Sequence, residues 1–357
     1  MPQNVVYFLG AGCSKNFGYP LTGEIMPLIL ERLLEHNLFQ LSYFRKTTHE
    51  KKLEKELLEF IYLLYPGLKI KDLKNKDHQK QIPNITEILS FIDHSCFYNT
   101  PPHPQISDGK LFRFRDLLNR AVVELILDFD STAMDKEEEK LFYKFIAPIN
   151  HDKTKNKVSI ITTNYDLLID WEFDNLLRAN KIDCGIAYRD VDTSKLIFPD
   201  ANPRFRYYKL HGSLNWLRCD LCGQYYINPD GTIADLSFEE KLSDYNTCIC
   251  SDSLRLKNVL IAPSLVRDIR DPNLLQIWKG ALEAIRTADK IIFIGYSLPP
   301  EDLAIKSIIM RGINGRSSKK YPQIDVVQYG DAAKSNYINV FGNQIKYYGG
   351  GLPEYLL

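Results

Sequence analysis

The sequence predicts an α/β fold in which a parallel sheet carries a large helical insertion and a small zinc-ribbon-like module. Short, wholly apolar strands alternate with amphipathic helices along the second half of the chain. A glycine turn follows the first strand, and four cysteines cluster in pairs between two later strands. Because strands that are buried on both faces read as continuous apolar runs, this alternation is typical of a Rossmann-like parallel sheet.

The first strand is predicted at Val5–Leu9, and it ends at Gly10-Ala11-Gly12. Two glycines allow the backbone to approach a pyrophosphate closely, and the following N–H groups and the Ser14 hydroxyl can face the anion. Lys15 stands where a dinucleotide fingerprint has its third glycine, and no suitable acidic residue follows about twenty positions later. The turn indicates a nucleotide site, but its sequence is also compatible with an ordinary tight turn that binds no ligand.

At 357 residues the chain has room for one large domain with insertions or for two domains. Lys plus Arg and Asp plus Glu both number 45, so the formal net charge is zero, which argues against polyanion binding as the main role. No n-region, h-region or cleavage site is recognised before Val5, and no apolar run reaches membrane-spanning length, so we expect no signal peptide. An odd count of seven cysteines is typical of a reducing compartment. We therefore expect a soluble cytoplasmic protein with no membrane and no direct nucleic-acid partner.

Amphipathic helices dominate the stretch between the first and second strands. The apolar spacing predicts helices at residues 22–38, 50–65, 86–97, 110–129 and 137–145, with a polar loop at 69–80. We therefore interpret residues 22–150 as a helical insertion.

The rest of the chain alternates strands with helices. Strands are predicted at residues 158–163, 183–188, 195–198, 206–210, 259–262, 290–295, 324–330 and 344–348, and helices at 167–179, 273–288 and 301–311. We expect a Rossmann-like core formed by residues 1–21, 151–212 and 255–357, and a zinc-ribbon-like module at 213–254.

Glycine-containing turns and polar residues follow four of these strands at their carboxyl ends. They are Gly10, Ala11, Gly12 and Ser14 after the first strand, Thr163, Asn164 and Asp166 after the second, and His211, Gly295 and Ser297 after later ones. Ligands of open α/β sheets bind at this edge, near the point where the strand order reverses. The convergence favours one ligand site over four separate turns.

Four of the seven cysteines form two pairs, Cys219-x-x-Cys222 and Cys248-x-Cys250. Four thiolates are the ligand number of a closed structural zinc site, which is the interpretation we favour. A site reduced to two or three ligands and a redox role stay open, because the C-x-C arm departs from the usual C-x-x-C spacing. The other three cysteines are expected in core or loop positions.

These motifs, in this order, resemble those of the sirtuin family. The resembling segments are Gly10-Ala11-Gly12-Cys13-Ser14 with Gly18 and Pro20, Thr162-Thr163-Asn164-Tyr165-Asp166, Leu210-His211-Gly212, the two cysteine pairs, and Gly295-Tyr296-Ser297-Leu298. The resemblance covers the sheet-forming parts of the chain and leaves residues 22–150 unaccounted for. It implies that the Rossmann-like core binds NAD.

Sirtuin-type sites break the bond between nicotinamide and ribose in NAD through a transition state that resembles an oxocarbenium ion. The resemblance implies that Asn164 positions the ribose or the attacking water, that Asp166 holds the nicotinamide carboxamide, and that His211 accepts a proton from a ribose hydroxyl. The residues implied to bind the rest of NAD are Gly10, Ala11, Gly12, Ser14, Thr163, Gly295 and Ser297.

Each of the three polar residues also has a purely structural interpretation. Asn164 would cap the helix that follows, Asp166 would complement the dipole of that helix, and His211 would hydrogen-bond a loop carbonyl. Their joint occurrence at one edge of the sheet favours the catalytic interpretation.

Two departures from the protein deacylases of the family bear on the reaction. Leu21-Thr22-Gly23 stands where deacylases carry Asp-Phe-Arg, and Ala262–Arg267 stands where they carry a Phe-Gly-Glu loop that seats the peptide. Without that seat we expect water to be the nucleophile. The helical insertion and the Gly-Tyr-Ser-Leu-Pro-Pro segment at 295–300 resemble a divergent bacterial branch whose members often deplete NAD in antiphage defence.

The resulting hypothesis is an NAD glycohydrolase that yields nicotinamide and ADP-ribose and acts as an effector of bacterial abortive infection. Because unchecked NAD loss would kill the host, we expect the activity to be gated. The gate would be a homo-oligomer, or a partner such as a co-encoded ATPase or nuclease that docks on residues 22–150. A protein deacylase, an ADP-ribosyltransferase and a non-enzymatic module that senses NAD or ADP-ribose stay open as alternatives.

Overall fold

The computed structural model describes most of the chain. The described residues are 3–39, 48–68, 82–130, 134–150, 156–179, 181–200, 202–238, 242–243, 245–261, 271–300, 302–316 and 320–357. The loop predicted at 69–80 and the Ala262–Arg267 departure lie outside these ranges.

The strands are numbered here in chain order. They are β1 (Asn4–Leu9), β2 (Lys157–Thr162), β3 (Ile182–Asp183), β4 (Tyr188–Asp190), β5 (Leu196–Ile197), β6 (Phe205–Lys209), β7 (Gly212–Arg218), β8 (Tyr225–Ile227), β9 (Thr247–Cys248), β10 (Ser251–Arg255), β11 (Lys257–Leu260), β12 (Lys290–Ile294), β13 (Gln323–Val327) and β14 (Lys346–Tyr348).

The helices follow the same convention. They are α1 (Ala11–Lys15), α2 (Thr22–Leu34), α3 (Thr48–Leu64), α4 (Ile85–Tyr98), α5 (Asp108–Asp130), α6 (Lys136–Asn150), α7 (Leu168–Glu172), α8 (Asp174–Arg178), α9 (Pro272–Thr287), α10 (Leu303–Asn314), α11 (Lys334–Phe341) and α12 (Gly351–Tyr355), with 3-10 turns at Ala234–Phe238 and Gly342–Gln344. Of the helices in the described part of the chain, none is long and apolar enough to cross a bilayer.

In the described part of the chain, the main sheet has seven strands in the order β14-β13-β12-β1-β2-β6-β3. Every neighbouring pair in it is parallel. The central strands are buried almost throughout, which explains their continuous apolar sequences. The predicted α/β fold with a parallel sheet is therefore confirmed.

The strand order of this sheet has a switch point at β1, from which later strands are added on both sides. β1 lies between β12 and β2, and β6 lies beside β2. From β1 the sheet extends on one side to β2, β6 and β3, and on the other to β12, β13 and β14. Ligands of open α/β sheets bind outside the carboxyl ends of the strands at such a point.

A second sheet, which the sequence did not predict, has the order β11-β7-β8-β4-β5 among the described residues, and β9 pairs with β10 separately. β7 is almost wholly buried, yet its polar Ser213 and Asn215 read as loop residues in the sequence. The single strand predicted at 183–188 is wrong, because it is divided between the two sheets as β3 and β4. The Asp183 carboxylate accepts the Gly185 N–H at 2.7 Å, and this turn ends β3.

The helix predicted at 167–179 is likewise two short helices, α7 and α8. They meet at Phe173, whose backbone has left the helical conformation with φ −114° and ψ 16°. Its buried ring packs edge-on against Phe205 with 4.7 Å between the ring centroids. Burial of the aromatic ring thus accompanies the break that periodicity alone does not show.

The chain forms two compact units. One contains Met1–Tyr19, Ala133–Leu260 and Ile269–Leu357, and the other contains Pro20–Thr132 with Ile261–Asp268. Within the second unit α2, α3, α4 and α5 pack on one another. α4 begins where the Asn84 side chain accepts the Glu87 N–H at 2.8 Å. α6 belongs to the unit that contains the sheets, and the three-part domain division drawn from the sequence stays a prediction.

Candidate active site

The glycine turn after β1 packs directly on the turn after β12. Gly10 donates its N–H to the Ile294 carbonyl at 3.0 Å, and Gly12 donates to the Gly295 carbonyl at 2.8 Å. A Cβ added at Gly295 would lie 1.9 Å from the Cys13 nitrogen, and φ at Gly295 is +61°, so the approach requires glycine. The two turns predicted to bind a nucleotide are therefore hydrogen-bonded and closely packed against each other.

Several N–H groups of the first turn are already paired within the protein. Besides Gly10 and Gly12, Cys13 donates its N–H to the Gly10 carbonyl at 2.9 Å. Among the described residues of this turn, Ala11 is the one whose N–H has no acceptor. The Ala11 N–H is therefore the backbone donor that the turn offers to an anionic ligand.

Asn164, which follows β2, reaches across to the glycine turn. Its amide nitrogen donates to the Gly10 carbonyl at 3.0 Å and to Ser14 Oγ at 2.8 Å. The Ser14 hydroxyl donates in turn to Asp166 Oδ2 at 2.7 Å. Because both amide hydrogens are used in this way, the oxygen Oδ1 is the amide atom left to face a ligand. The Asn164 side chain thus binds the turn instead of capping α7.

Asp166 is a buried carboxylate with partners on two sides. Oδ2 accepts from Ser14, and Oδ1 accepts the Leu168 N–H at 3.3 Å at the start of α7. Burial raises the pKa of Asp166, while the charge of Lys209 and the Ser14 and Leu168 hydrogen bonds oppose that rise. The Asp166 carboxylate therefore hydrogen-bonds both the start of α7 and Ser14 beside the glycine turn.

His211 follows β6 and lies against the loop after β2. Its Nδ1 lies 3.1 Å from the Thr163 carbonyl oxygen. Because a carbonyl oxygen only accepts, Nδ1 carries the hydrogen and Nε2 keeps the lone pair in the neutral ring. The Trp278 Nε1–H donates to the Leu210 carbonyl at 2.9 Å and holds the preceding peptide. The bond to a loop carbonyl thus orients the ring and sets the tautomer in which Nε2 is the basic nitrogen.

The turn after β12 is held by its backbone. The Tyr296 carbonyl accepts from Gln328 Nε2 at 2.6 Å and from the Tyr337 hydroxyl. The Ser297 carbonyl accepts from Asn336 Nδ2 at 3.0 Å, and Ser297 itself is exposed. The structure thus places all the residues predicted for catalysis and NAD binding after four adjacent strands, β12, β1, β2 and β6.

A buried polar network behind these residues was not predicted. Lys209 Nζ donates to the Asp166 carbonyl at 2.7 Å and to Asp170 Oδ2 at 2.8 Å. Asp170 also accepts from the Tyr207 hydroxyl at 2.9 Å and from Asn215 Nδ2 at 3.0 Å. The available signal was a lysine at the end of a strand rich in aromatic residues, next to the Leu-His-Gly motif.

The four cysteines of the two pairs meet at one point. Their Sγ atoms all lie within 4.8 Å of one another, and those of Cys219 and Cys250, and of Cys222 and Cys248, are 3.6 Å apart. Zinc with four thiolates at about 2.3 Å in a tetrahedron requires sulfur atoms about 3.8 Å apart. The donor set therefore fits a zinc ion, and all four cysteines could hold it. The Tyr226 hydroxyl donates to Cys248 Sγ at 3.2 Å.

A family model described as a SIR2-like domain matches residues 158–339, just over half of the chain. The chain belongs to the SIR2-like family. The match spans β2, β6 and β12 together with the cysteine pairs, and the glycine turn after β1 lies outside it. A SIR2-like domain indicates an enzyme that uses NAD.

The solved structures to which the chain is similar include Sir2 proteins. One structure, described as the structural basis for the mechanism and regulation of Sir2 enzymes, is 16% identical in sequence and has a TM-score of 0.41. The alignment covers 99% of this SIR2-like chain and 89% of that chain. Sir2 with a p53 peptide and NAD+ is 15% identical, with coverages of 99% and 90% and a TM-score of 0.40. Sir2 with the inhibitor EX-527, 2'-O-acetyl-ADP-ribose and a deacetylated p53 peptide is 16% identical, with the same coverages and TM-score. A search among curated protein sequences gives no significant match.

Proposed function

We propose that this SIR2-like protein is an NAD glycohydrolase that releases nicotinamide and ADP-ribose. The observation that carries the proposal is the hydrogen-bonded chain from Asn164 through Ser14 to Asp166, with His211 at the end of the next strand. It gathers an amide, a carboxylate and an imidazole beside a glycine turn, at the edge where such sheets bind ligands.

Asn164, His211 and Asp166 are proposed to have different roles in cleaving the glycosidic bond. Loss of nicotinamide leaves positive charge on the ribose, as in glycoside hydrolysis. Asn164 Oδ1 would accept a hydrogen bond from a ribose hydroxyl or from the attacking water, and His211 Nε2 would take the proton released. Asp166 would bind the carboxamide of nicotinamide and so keep that group in place as it leaves.

The backbone around the glycine turn would hold the rest of NAD. The residues assigned to this role are Gly10, Ala11, Gly12, Ser14, Thr163, Gly295 and Ser297. The Ala11 N–H, as the turn's donor without an acceptor among the described residues, suits a pyrophosphate oxygen.

Water is the proposed nucleophile because the chain departs from the deacylase pattern at Leu21-Thr22-Gly23 and at Ala262–Arg267. The proposed biological role is that of an effector in bacterial antiphage defence. Because unchecked loss of NAD would kill the host cell, we also propose that the activity is gated by a homo-oligomer or by a partner such as an ATPase or nuclease.

The four cysteines are proposed to bind structural zinc, which would hold the two cysteine pairs together.

The deciding experiment incubates the purified protein with NAD, with and without an acetylated peptide, and measures nicotinamide and ADP-ribose by chromatography. Release of ADP-ribose without the peptide supports the glycohydrolase. Strict dependence on the peptide indicates a deacylase, and absence of both products, even with candidate activators, overturns the proposal. Undiminished release by Asn164→Ala would show that the site is assigned to the wrong residues.

A further inference from the structure

The buried network around Lys209 is not explained by stability alone. Moving an ammonium and a carboxylate out of water costs more than their attraction returns unless their remaining hydrogen bonds are made, and apolar pairs of similar size are often as stable. Lys209 is nevertheless 1% exposed and Asp170 3% exposed. A charged pair retained at this depth points to a role for the charge itself.

The ammonium group touches the candidate active site directly. Lys209 Nζ donates to the backbone carbonyl of Asp166 at 2.7 Å and so holds the turn that carries the Asp166 carboxylate. The carboxylate of Asp170 fixes the position of Nζ at 2.8 Å. Of the influences that oppose the effect of burial on Asp166, the charge of Lys209 is the largest.

The ionisation of Asp166 decides which way the hydrogen bonds of the site run. An ionised carboxylate only accepts, so Ser14 donates to Asp166 and in turn accepts from the Asn164 amide nitrogen. A protonated Asp166 can donate to Ser14 instead. The Ser14 hydroxyl hydrogen would then be free to face Asn164, where an amide oxygen suits it better than an amide nitrogen.

We propose that Lys209 is a positioning residue: its ammonium group, paired with Asp170, holds the Asp166 turn and, through Asp166 and Ser14, sets which end of the Asn164 amide faces the substrate. The inference rests on the proposed NAD cleavage and adds to it a cation that contacts no substrate. It assigns a function to a lysine that the motifs of the sequence do not include.

The titratable groups that act on Asp166 in the described structure come from three elements. They are Cys13 on α1, Asp170 on α7, and Tyr207 and Lys209 on β6. Lys209 lowers the pKa of Asp166, and its effect exceeds the opposite effect of Asp170. Neutralising both residues therefore raises the pKa of Asp166, and a reaction that needs the carboxylate then requires a higher pH.

The test compares the parent protein with the double variant Lys209→Met/Asp170→Asn, which removes both charges and leaves neither uncompensated. The matched control is Arg120→Met/Glu124→Gln, a buried pair on α5 with 3.1 Å between Arg120 Nε and Glu124 Oε1. Thermal unfolding establishes that each variant folds. Nicotinamide release from NAD is then measured as kcat and KM over a range of pH.

At neutral pH we expect kcat of the double variant to fall by about tenfold to a hundredfold, as for other displacements of reacting groups. The acidic limb of its kcat profile moves to higher pH, so the deficit narrows in alkaline buffer. The control keeps the parent kcat and pH profile. A folded double variant with the parent kcat and an unshifted limb overturns the proposal, since the network would then be only structural.

Lys209→Gln/Asp170→Asn covers the case in which the first double variant does not fold. It also removes both charges and leaves neither uncompensated, but it keeps polar atoms that can hydrogen-bond their neighbours, so the acidic limb should again move to higher pH. A shift to lower pH or no shift overturns the positioning role. If the parent itself releases no nicotinamide, the proposed function fails separately, and the same variants are compared by NAD affinity against pH in calorimetry. An affinity limb that does not move then overturns the role of Lys209.

Discussion

The carboxyl edge of the main sheet and the four-cysteine module bring side chains together in different ways. At the edge, residues from distant parts of the chain meet because β12, β1, β2 and β6 are neighbours. In the module, Cys219 and Cys248 are themselves buried in a small apolar cluster with Leu217, Tyr226 and Leu256. The apolar core of the main sheet does not include the polar residues of the edge, whereas the cysteines are part of their own apolar cluster. Substitution of a polar side chain at the edge should therefore change activity more than stability, and substitution in the module should lower stability directly.

The largest effect is expected for His211→Ala, which removes the proposed proton acceptor. NAD cleavage should fall by about a hundredfold to ten-thousandfold, while the variant should still fold, with an unfolding midpoint lowered only by the loss of the buried ring. The exposed His94 on α4 supplies the matched control, since His94→Ala should change neither quantity. A normal rate of nicotinamide release in His211→Ala would remove the imidazole from the mechanism.

Cys219→Ser tests whether the four-cysteine module depends on zinc for its stability. We expect the zinc content to fall below about half an equivalent and the free energy of unfolding to drop by about 3 kcal/mol or more, because a structural metal contributes directly to folding. Metal analysis and thermal unfolding measure the two effects. Cys96→Ser, at a cysteine outside the cluster, should keep its zinc. A full equivalent of zinc in Cys219→Ser would argue for fewer ligands.

Gly295→Ala shows whether the edge depends on the close approach of its two turns. The added Cβ would lie 1.9 Å from the Cys13 nitrogen at a φ of +61°. We expect the free energy of unfolding to fall by about 2 kcal/mol or more, measured by denaturant titration. Gly330→Ala has a similar φ of +69° and open space around the new Cβ, so it should cost about 1 kcal/mol. Equal losses in the two variants would mean that the approach is readily relaxed.

The smallest change in stability is expected for Asp166→Asn, and its sign is opposite to the change in activity. Because burial raises the pKa of Asp166, the ionised form is less favoured in the folded protein than in the unfolded chain. Its ionisation therefore costs stability at neutral pH, and that cost disappears below the ordinary value of 3.8, where the carboxyl is protonated in both states.

Asp166→Asn should accordingly unfold at a higher temperature than the parent at neutral pH, with the two midpoints converging in acid. NAD cleavage should drop by about a hundredfold, since a preorganised charge is lost. Differential scanning calorimetry at several pH values measures the first effect. A midpoint below that of the parent at neutral pH would show that the Ser14 and Leu168 hydrogen bonds outweigh burial.

Most of the main sheet could be predicted because its strands are buried on both faces and read as unbroken apolar runs. The glycine turn, Asn164, Asp166 and His211 were recognisable because each follows such a run, and the match to a SIR2-like domain over residues 158–339 confirms the family to which they pointed. The second sheet was missed because β7 has buried polar residues, which hydrophobic patterning assigns to loops.

The sequence by itself determined which residue types stand at the ends of the strands and in what order. Only the tertiary structure decided that β12, β1, β2 and β6 are neighbours, that Asn164 binds the glycine turn, and that Lys209 binds the backbone carbonyl of Asp166. The physical reason is that strand order and buried ion pairs arise from contacts between distant segments. Local periodicity records the burial of a residue but not the identity of its partner.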